Sequence, residues 1–170
     1  IVRNSKQDAV DIDFSNLESL PLNHEATVTV PGAVKGWSEM HKKFGKLEFK
    51  ILFDEAVKIC NEGFEISYEL GQTLIRHKKA LINQDSSENF YVEGEPVATG
   101  NIVKREKLGE TLSLIADSGP NIFYEGDIAE AISKATKNTL TIEDINKFKS
   151  NWISPLGIDI YGKTGWVTPP

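Results

Sequence analysis

The side chains able to carry covalent or acid–base chemistry are few in this sequence, and their spacing is the first thing to weigh. Cys60 is the single cysteine among 170 residues. A reactive thiol needs an electropositive, partly exposed setting, whereas Cys60 recurs on the apolar side of a helical pattern and reads as a small core residue. His24, His41 and His77 are too scattered to match a metal motif such as His-x-x-x-His, so each reads as a packed or surface residue. The carboxylates have local explanations: Asp11 and Asp13 on the outer side of an alternating strand, Asp127 at a helix start, and Glu143 and Asp144 in a first turn where the helix dipole favours negative charge. Gly162-Lys163-Thr164 lacks the upstream glycine and following helix of a phosphate-binding loop, and reads as a hairpin turn. No residue presents itself as catalytic, no metal ligand set emerges, and no cofactor is implied.

Composition narrows the classes. A formal charge of −6 and a pI near 5.1 disfavour an extended phosphate-binding face, which needs clustered Lys and Arg. The one basic cluster, Arg76-His77-Lys78-Lys79, reads as a solvated helix face, so no nucleic-acid partner is expected. No apolar run approaches the roughly 18 to 20 residues needed to span a bilayer. One cysteine excludes an internal disulfide and any multi-cysteine cage, and leaves the redox compartment open. At this length one domain is the default, and residues 1–170 are read as a single, partial one. Partial, because the start has no initiator methionine or signal segment, and Trp166-Val167-Thr168-Pro169-Pro170 follows directly on a strand pattern.

The elements that hold these residues follow from periodicity. Val10, Ile12 and Phe14 alternate with Asp11 and Asp13, and Val28 and Val30 repeat the alternation, so two strands are expected to open the chain. Pro31-Gly32 then begins a helix with Val34, Trp37, His41 and Phe44 on one side, stopped by Gly45 in a left-handed conformation. Phe49, Leu52, Phe53, Ala56 and Cys60 mark a second helix, stopped by Gly63. Ser67 caps a third, with Leu70, Leu74, His77 and Leu81 on one face. From Asn83 to Asn101 the chain reads as a surface loop or small hairpin around Phe90-Tyr91-Val92. A fourth helix carries Leu108, Thr111, Leu112 and Ile115 and ends before Gly119-Pro120. A fifth, from about Asp127, carries Ile128, Ala131, Ile132 and Ala135. Thr141-Ile142-Glu143-Asp144 resembles a capping box with Asp in place of Glu, and its helix carries Ile145 and Phe148. Ile158 and Ile160 then form a strand, Tyr161 to Gly165 a turn, and Trp166-Val167 the return. Strands, a run of helices, then strands favour an α+β class.

Three ordered segments carry a family resemblance. The first is Val30-Pro31-Gly32-Ala33-Val34-Lys35-Gly36-Trp37 through His41, Phe44-Gly45 and Leu47, into Ala56-Val57 and Glu62-Gly63-Phe64-Glu65-Ile66-Ser67. The second is Leu112, Ile115-Ala116, Gly119-Pro120, Phe123-Tyr124-Glu125-Gly126 and Ile128-Ala129. The third is Leu140-Thr141-Ile142-Glu143-Asp144-Ile145, Trp152, Pro155-Leu156, Tyr161-Gly162 and Pro169-Pro170. Together they resemble the large subunit of gamma-glutamyltranspeptidase, over its middle and C-terminal part.

That resemblance implies an N-terminal-nucleophile hydrolase, a four-layer αββα sandwich made as a precursor that cuts itself into large and small subunits. The new N-terminal threonine of the small subunit attacks the γ-glutamyl amide of glutathione, with its free α-amine serving as base. The partners implied are therefore the chain's own small subunit and a small-molecule γ-glutamyl or other amide substrate. The nucleophile is expected downstream of Pro170. Thr168, which precedes Pro169, is not a candidate, and this chain alone is expected to be catalytically silent. Family members are often periplasmic, secreted or membrane-anchored. One position departs from the family pattern. An arginine that pairs with the substrate α-carboxylate belongs in the region of Asp13-Phe14-Ser15-Asn16-Leu17-Glu18-Ser19-Leu20-Pro21. Counting from Phe14 puts Ser15 in its place, and counting back from Pro21 puts Leu17 there. Neither makes a bidentate charged contact, which leaves a related acylase or amidohydrolase as the alternative activity and a non-catalytic helical interaction module as a further one.

Overall fold

The computed structural model describes residues 25–84, 87 and 89–169. They form two compact units, one holding the described residues up to Lys46 and from Pro120 onward, the other Leu47–Gly119.

In the first unit the alternation of Val28 and Val30 sets burial without making a strand. Glu25–Thr27 is a 3-10 turn and the chain runs irregularly to Gly32. Val30 is buried and Val28 exposed, as the pattern requires, but a strand also needs a partner for its backbone, and among the described residues none pairs here. Helix α1, Ala33–Phe44, follows. Gly45 ends it, though not in the expected left-handed conformation: its φ of −65° and ψ of 143° are extended. Its amide still donates to the His41 carbonyl at 2.6 Å, and any Cβ would lie 2.5 Å from that oxygen. Glycine is required here by close approach rather than by handedness.

Pro120–Tyr124 is a 3-10 turn against which both α1 and the next helix of this unit, Gly126–Ala135, are packed. That helix buries Ala129 and Ser133, with Ile128 and Ile132 half-buried, while Ala131 and Ala135 are exposed. The expected apolar stripe is thus rotated by about one residue. The short helix Ile142–Lys147 has the capping box in full: Thr141 Oγ1 accepts from the Asp144 amide at 3.1 Å and Asp144 Oδ2 accepts from the Thr141 amide at 2.9 Å. A shorter carboxylate performs the role usually given to Glu. Ile145 and Phe148 are buried. The unit ends in an antiparallel hairpin of Leu156–Ile160 and Lys163–Val167, with the register Leu156↔Val167 to Ile160↔Lys163. The turn is only Tyr161-Gly162, both at positive φ (51° and 74°), the geometry that matches the strands' own twist. Every residue of both strands is exposed.

In the second unit a 3-10 turn at Lys50–Phe53 runs into α2, Asp54–Glu62, so the expected second helix begins more tightly wound. Cys60 and Phe53 are buried, whereas Ala56 and Leu52 are exposed. Gly63 stops the helix at φ 98° and leads into β1, Phe64–Glu65. Ser67 Oγ accepts from the Leu70 amide at 3.1 Å and caps α3, Tyr68–Leu81. The hairpin reading of the following region holds: β2, Tyr91–Val92, pairs with β3, Glu95–Pro96. Beyond it β4, Ile102–Val103, returns to pair with β1. Two-residue strands fall below any periodic signal, so this pairing is not visible in sequence. Ile66, Leu74, Tyr91 and Val103 form the core, with Phe64, Leu70 and Phe90 against it. Tyr91 donates its buried hydroxyl to the Leu74 carbonyl at 2.8 Å. Helix α4, Glu106–Ser118, packs on α2 through Gly109, where a Cβ would stand 3.1 Å from that of Cys60. Lys50 Nζ lies 2.5 Å from Asp117 Oδ1, and that hydrogen bond raises the lysine pKa.

The remaining two helices of the first unit, Gly126–Ala135 and Ile142–Lys147, are α5 and α6, and its hairpin strands are β5 and β6. The described chain is helix-rich with short antiparallel ribbons.

Candidate functional site

Residues from the spans of the three segments that carry the family resemblance meet in the first unit around one side chain, while the rest of the first two spans lies in the second unit. Helix α1 has no capping side chain: Gly32 occupies the N-cap position and makes no side-chain hydrogen bond. The first-turn amides of a helix have no partner within it, and Ser, Thr, Asp or Asn ordinarily supplies one. Here Tyr124, from the 3-10 turn 89 residues away, supplies it. Its hydroxyl accepts from the Lys35 amide at 3.0 Å and donates to the Pro31 carbonyl at 2.9 Å. Lys35 reaches back over the Tyr124 ring, 5.2 Å from its centroid, and donates from Nζ to Asn121 Oδ1 at 2.7 Å. From the third segment Phe148 stacks on Tyr124, with ring centroids 5.5 Å apart and planes 14° from parallel.

Tyr124 is 2% exposed. Burial pushes its phenol pKa up, and the Lys35 amide opposes this by favouring the phenolate. A neutral phenol that both donates and accepts suits this place. The arrangement therefore pins the Pro-Gly entrance of α1 to the Phe-Tyr turn and to the end of α6. It offers no nucleophile and no general base, which makes it a scaffold feature. In the sequence Tyr124 stands only as part of a motif. The signal was the absence of a local cap after Pro31-Gly32, which implies a donor or acceptor arriving from elsewhere.

The other sequence candidates are not drawn together. Ser15 and Leu17, the positions standing where the family arginine belongs, lie outside the described residues, as do His24 and the strand expected over Val10 to Phe14. Cys60 is buried at 7% exposure between α2 and α4, as a core residue. His41 is half-buried on α1, and His77 is exposed on α3. Gly162-Lys163-Thr164 belongs to the β5–β6 hairpin, where Thr164 Oγ1 donates to Asp159 Oδ1 at 2.6 Å. Among the described residues no group of three His, Cys, Asp or Glu side chains could hold a metal ion, and no helix is long and apolar enough to cross a membrane.

Beside the Tyr124 node, α1 forms one wall of a groove of about 340 Å³ lined by Gly36, Trp37, Met40, Ser150 and Trp152. Trp37 and Phe44, expected on the buried face, are 44% and 63% exposed, while Val34 and Ser38 carry the burial. Lys43 Nζ lies 4.1 Å above the Trp152 ring, and Phe44 meets that ring edge-on at 5.7 Å.

Comparison with known proteins agrees with the family resemblance of the sequence. The chain is similar to glutathione hydrolase 3 of Arabidopsis thaliana, at 31% identity over 83% of this chain and 23% of that protein. It is similar to the capsule biosynthesis protein CapD proenzyme of Bacillus anthracis, at 32% identity over 87% of this chain and 28% of that protein. The crystal structure of the CapD transpeptidase superimposes with a TM-score of 0.77, covering 84% of this chain and 50% of that one. A cephalosporin acylase from Bacillus halodurans superimposes equally well, with a TM-score of 0.77 at 28% identity, over 89% of this chain and 30% of that one. The chain spans 22–31% of the length of the curated relatives compared. The family model described as Gamma-glutamyltranspeptidase matches residues 3–170, and this chain belongs to that family.

Proposed function

We propose that this chain is the middle and C-terminal part of the large subunit of a gamma-glutamyltranspeptidase-like enzyme, a single partial domain within a four-layer αββα sandwich. The observation that carries this reading is the family match along residues 3–170, supported by the packing of Lys35, Tyr124 and Phe148, which lie within the spans of the three marking segments. In such an enzyme a threonine hydroxyl downstream of this chain attacks the amide carbonyl of a γ-glutamyl substrate, with the α-amine of the same threonine taking the proton. The amine of the substrate leaves, and the glutamyl ester then passes its acyl group to water or to an amino acid. The contribution of this chain is positional. It builds helices and strand edges against which a small subunit, cut from the same precursor, would be held. The β5–β6 hairpin supports this reading, because an isolated two-stranded ribbon exposed on both faces is at best marginally stable and gains by joining a larger sheet.

A second reading is favoured by a specific observation. Ser15 or Leu17 stands where a guanidinium would pair with the substrate α-carboxylate, and an acylase is among the solved structures that superimpose on this chain. The test is to assay the parent polypeptide on a γ-glutamyl anilide and on the matching anilide lacking the α-amino and α-carboxylate groups. Preference for the γ-glutamyl substrate by tenfold or more supports the first activity. Equal or inverted preference supports an acylase, and no turnover of either overturns the proposal.

A further inference from the structure

The β5–β6 ribbon contains its own means of holding register. Its two-residue turn, Tyr161-Gly162, closes on the pair Ile160↔Lys163, and hydrogen-bonded and non-hydrogen-bonded pairs alternate from there. Asp159↔Thr164 and Gly157↔Trp166 fall at the non-hydrogen-bonded positions, where facing side chains approach most nearly. The Trp166 ring lies on Gly157, so that a Cβ built there would stand 2.9 Å from Trp166 Cζ3. An aromatic ring laid across a cross-strand glycine covers backbone that glycine leaves bare. No outside packing imposes this contact, since Trp166 is 66% exposed. At the other position Thr164 Oγ1 donates to Asp159 Oδ1 at 2.6 Å. Both contacts lie on one face of the ribbon. Leu156, Ile158, Ile160 and Val167 lie on the other, and a slip of one residue would carry a strand's aliphatic set to the wrong side.

We infer that Trp166 on Gly157 and Thr164 on Asp159 form a register lock built into the ribbon itself, which keeps the aliphatic residues on one face without help from a neighbouring strand. A ribbon exposed on both faces has no buried face to specify its register, so the turn and the contacts between its own strands are what specify it. The turn fixes where pairing starts. The two side-chain contacts, on successive non-hydrogen-bonded pairs, oppose slippage beyond it. The inference concerns this chain's own strands and does not depend on the enzymatic reading.

The test uses the whole chain at low concentration. Nuclear magnetic resonance is expected to show Hα–Hα contacts for Gly157–Trp166 and Asp159–Thr164, with the Gly157 Hα signals moved upfield by the indole ring. Their absence overturns the lock. So does their appearance only as concentration rises, because neighbouring copies would then hold the register. Replacing Trp166→Val and Thr164→Val together keeps β-forming side chains and removes both contacts. Amide exchange in β5 and β6 is expected to rise about tenfold, as the loss of two cross-strand pairs allows, with α3 unaffected. Unchanged exchange would show that the turn alone sets the register, and overturns the role given to the two pairs. Gly157→Ala by itself, which puts a methyl group where the ring lies, is expected to raise exchange in the same sense. A rate at or below that of the unaltered chain overturns the place assigned to Trp166.

Discussion

The amide of Lys35 is capped by the hydroxyl of Tyr124 at 3.0 Å, across 89 residues of sequence. Helix α1 thus receives from another part of the chain what most helices obtain from the residue before them. Because the same hydroxyl donates to Pro31, it serves one donor and one acceptor at the helix entrance.

Tyr124→Phe removes those two hydrogen bonds while keeping the ring against Phe148. It is expected to destabilise the chain by about 1–3 kcal/mol, the cost of leaving buried polar groups unsatisfied. Urea unfolding measures this, and hydrogen exchange at the Lys35 amide is expected to rise with it. An unchanged midpoint would show that water replaces the hydroxyl without loss.

The raised pKa of Tyr124 gives a pH dependence of definite sign. The folded state holds its proton more tightly than the unfolded chain does, so the contribution to stability is complete below the ordinary tyrosine pKa of 10.0 and is lost as pH rises from there through the folded value. The wild-type chain is expected to lose stability above pH 10 more steeply than Tyr124→Phe, with the two curves parallel at neutral pH. A steeper loss in the variant contradicts the account.

Helices were legible in the sequence wherever their signals were local. The Ser67 cap, the Thr141–Asp144 capping box and the Gly63 and Gly119 stops all stand where the residue types placed them. What failed depended on distant parts of the chain. The alternation at Val28 and Val30 fixed which side is buried and could not supply a neighbouring strand. The β1–β4 pairing joins two-residue pieces separated by a helix and a hairpin. Trp37 and Phe44 share the helical period of Val34, yet cover for that side of α1 is not supplied by the described residues. At the candidate site, the segments were legible as motifs, but the hydroxyl that joins them was not.

Gly63 and Gly119 separate two effects of a side chain. Both have backbones reserved for glycine, with φ 98°, ψ 167° and φ 84°, ψ 171°. At Gly119 nothing lies within 4 Å of an added Cβ, whereas at Gly63 it would stand 2.5 Å from Ile102 Cγ2. Gly119→Ala is expected to cost the backbone strain alone, about 1–3 kcal/mol, and Gly63→Ala to cost more because the Ile102 side chain must also swing aside and the Val103 carbonyl, 3.1 Å away, must give. Equal losses in urea unfolding would contradict the packing of β1 on β4.

Thr141→Ala removes the hydroxyl that caps α6 and is expected to cost about 1 kcal/mol. The loss is expected to appear as faster hydrogen exchange at the Asp144 amide, with α3 unaffected.

The β5–β6 hairpin exposes Leu156, Ile158, Ile160, Trp166 and Val167 together. Unpaired edges and apolar faces of this kind promote association, so the chain alone is expected to self-associate as its concentration rises. Ile158→Lys and Trp166→Lys are expected to suppress this in sedimentation experiments. A chain that stays monomeric at high concentration without these changes contradicts an uncovered ribbon.

The central claim is that this chain is a scaffold whose chemistry lies elsewhere on the same precursor. Intact-mass analysis with N-terminal sequencing of the purified parent polypeptide tests it most directly. The account predicts two fragments, with all of residues 1–170 in the larger and a threonine at the new N-terminus of the smaller. Replacing that threonine by alanine is expected to leave the precursor whole. A parent that remains a single uncut chain, or is cut within residues 1–170, contradicts it.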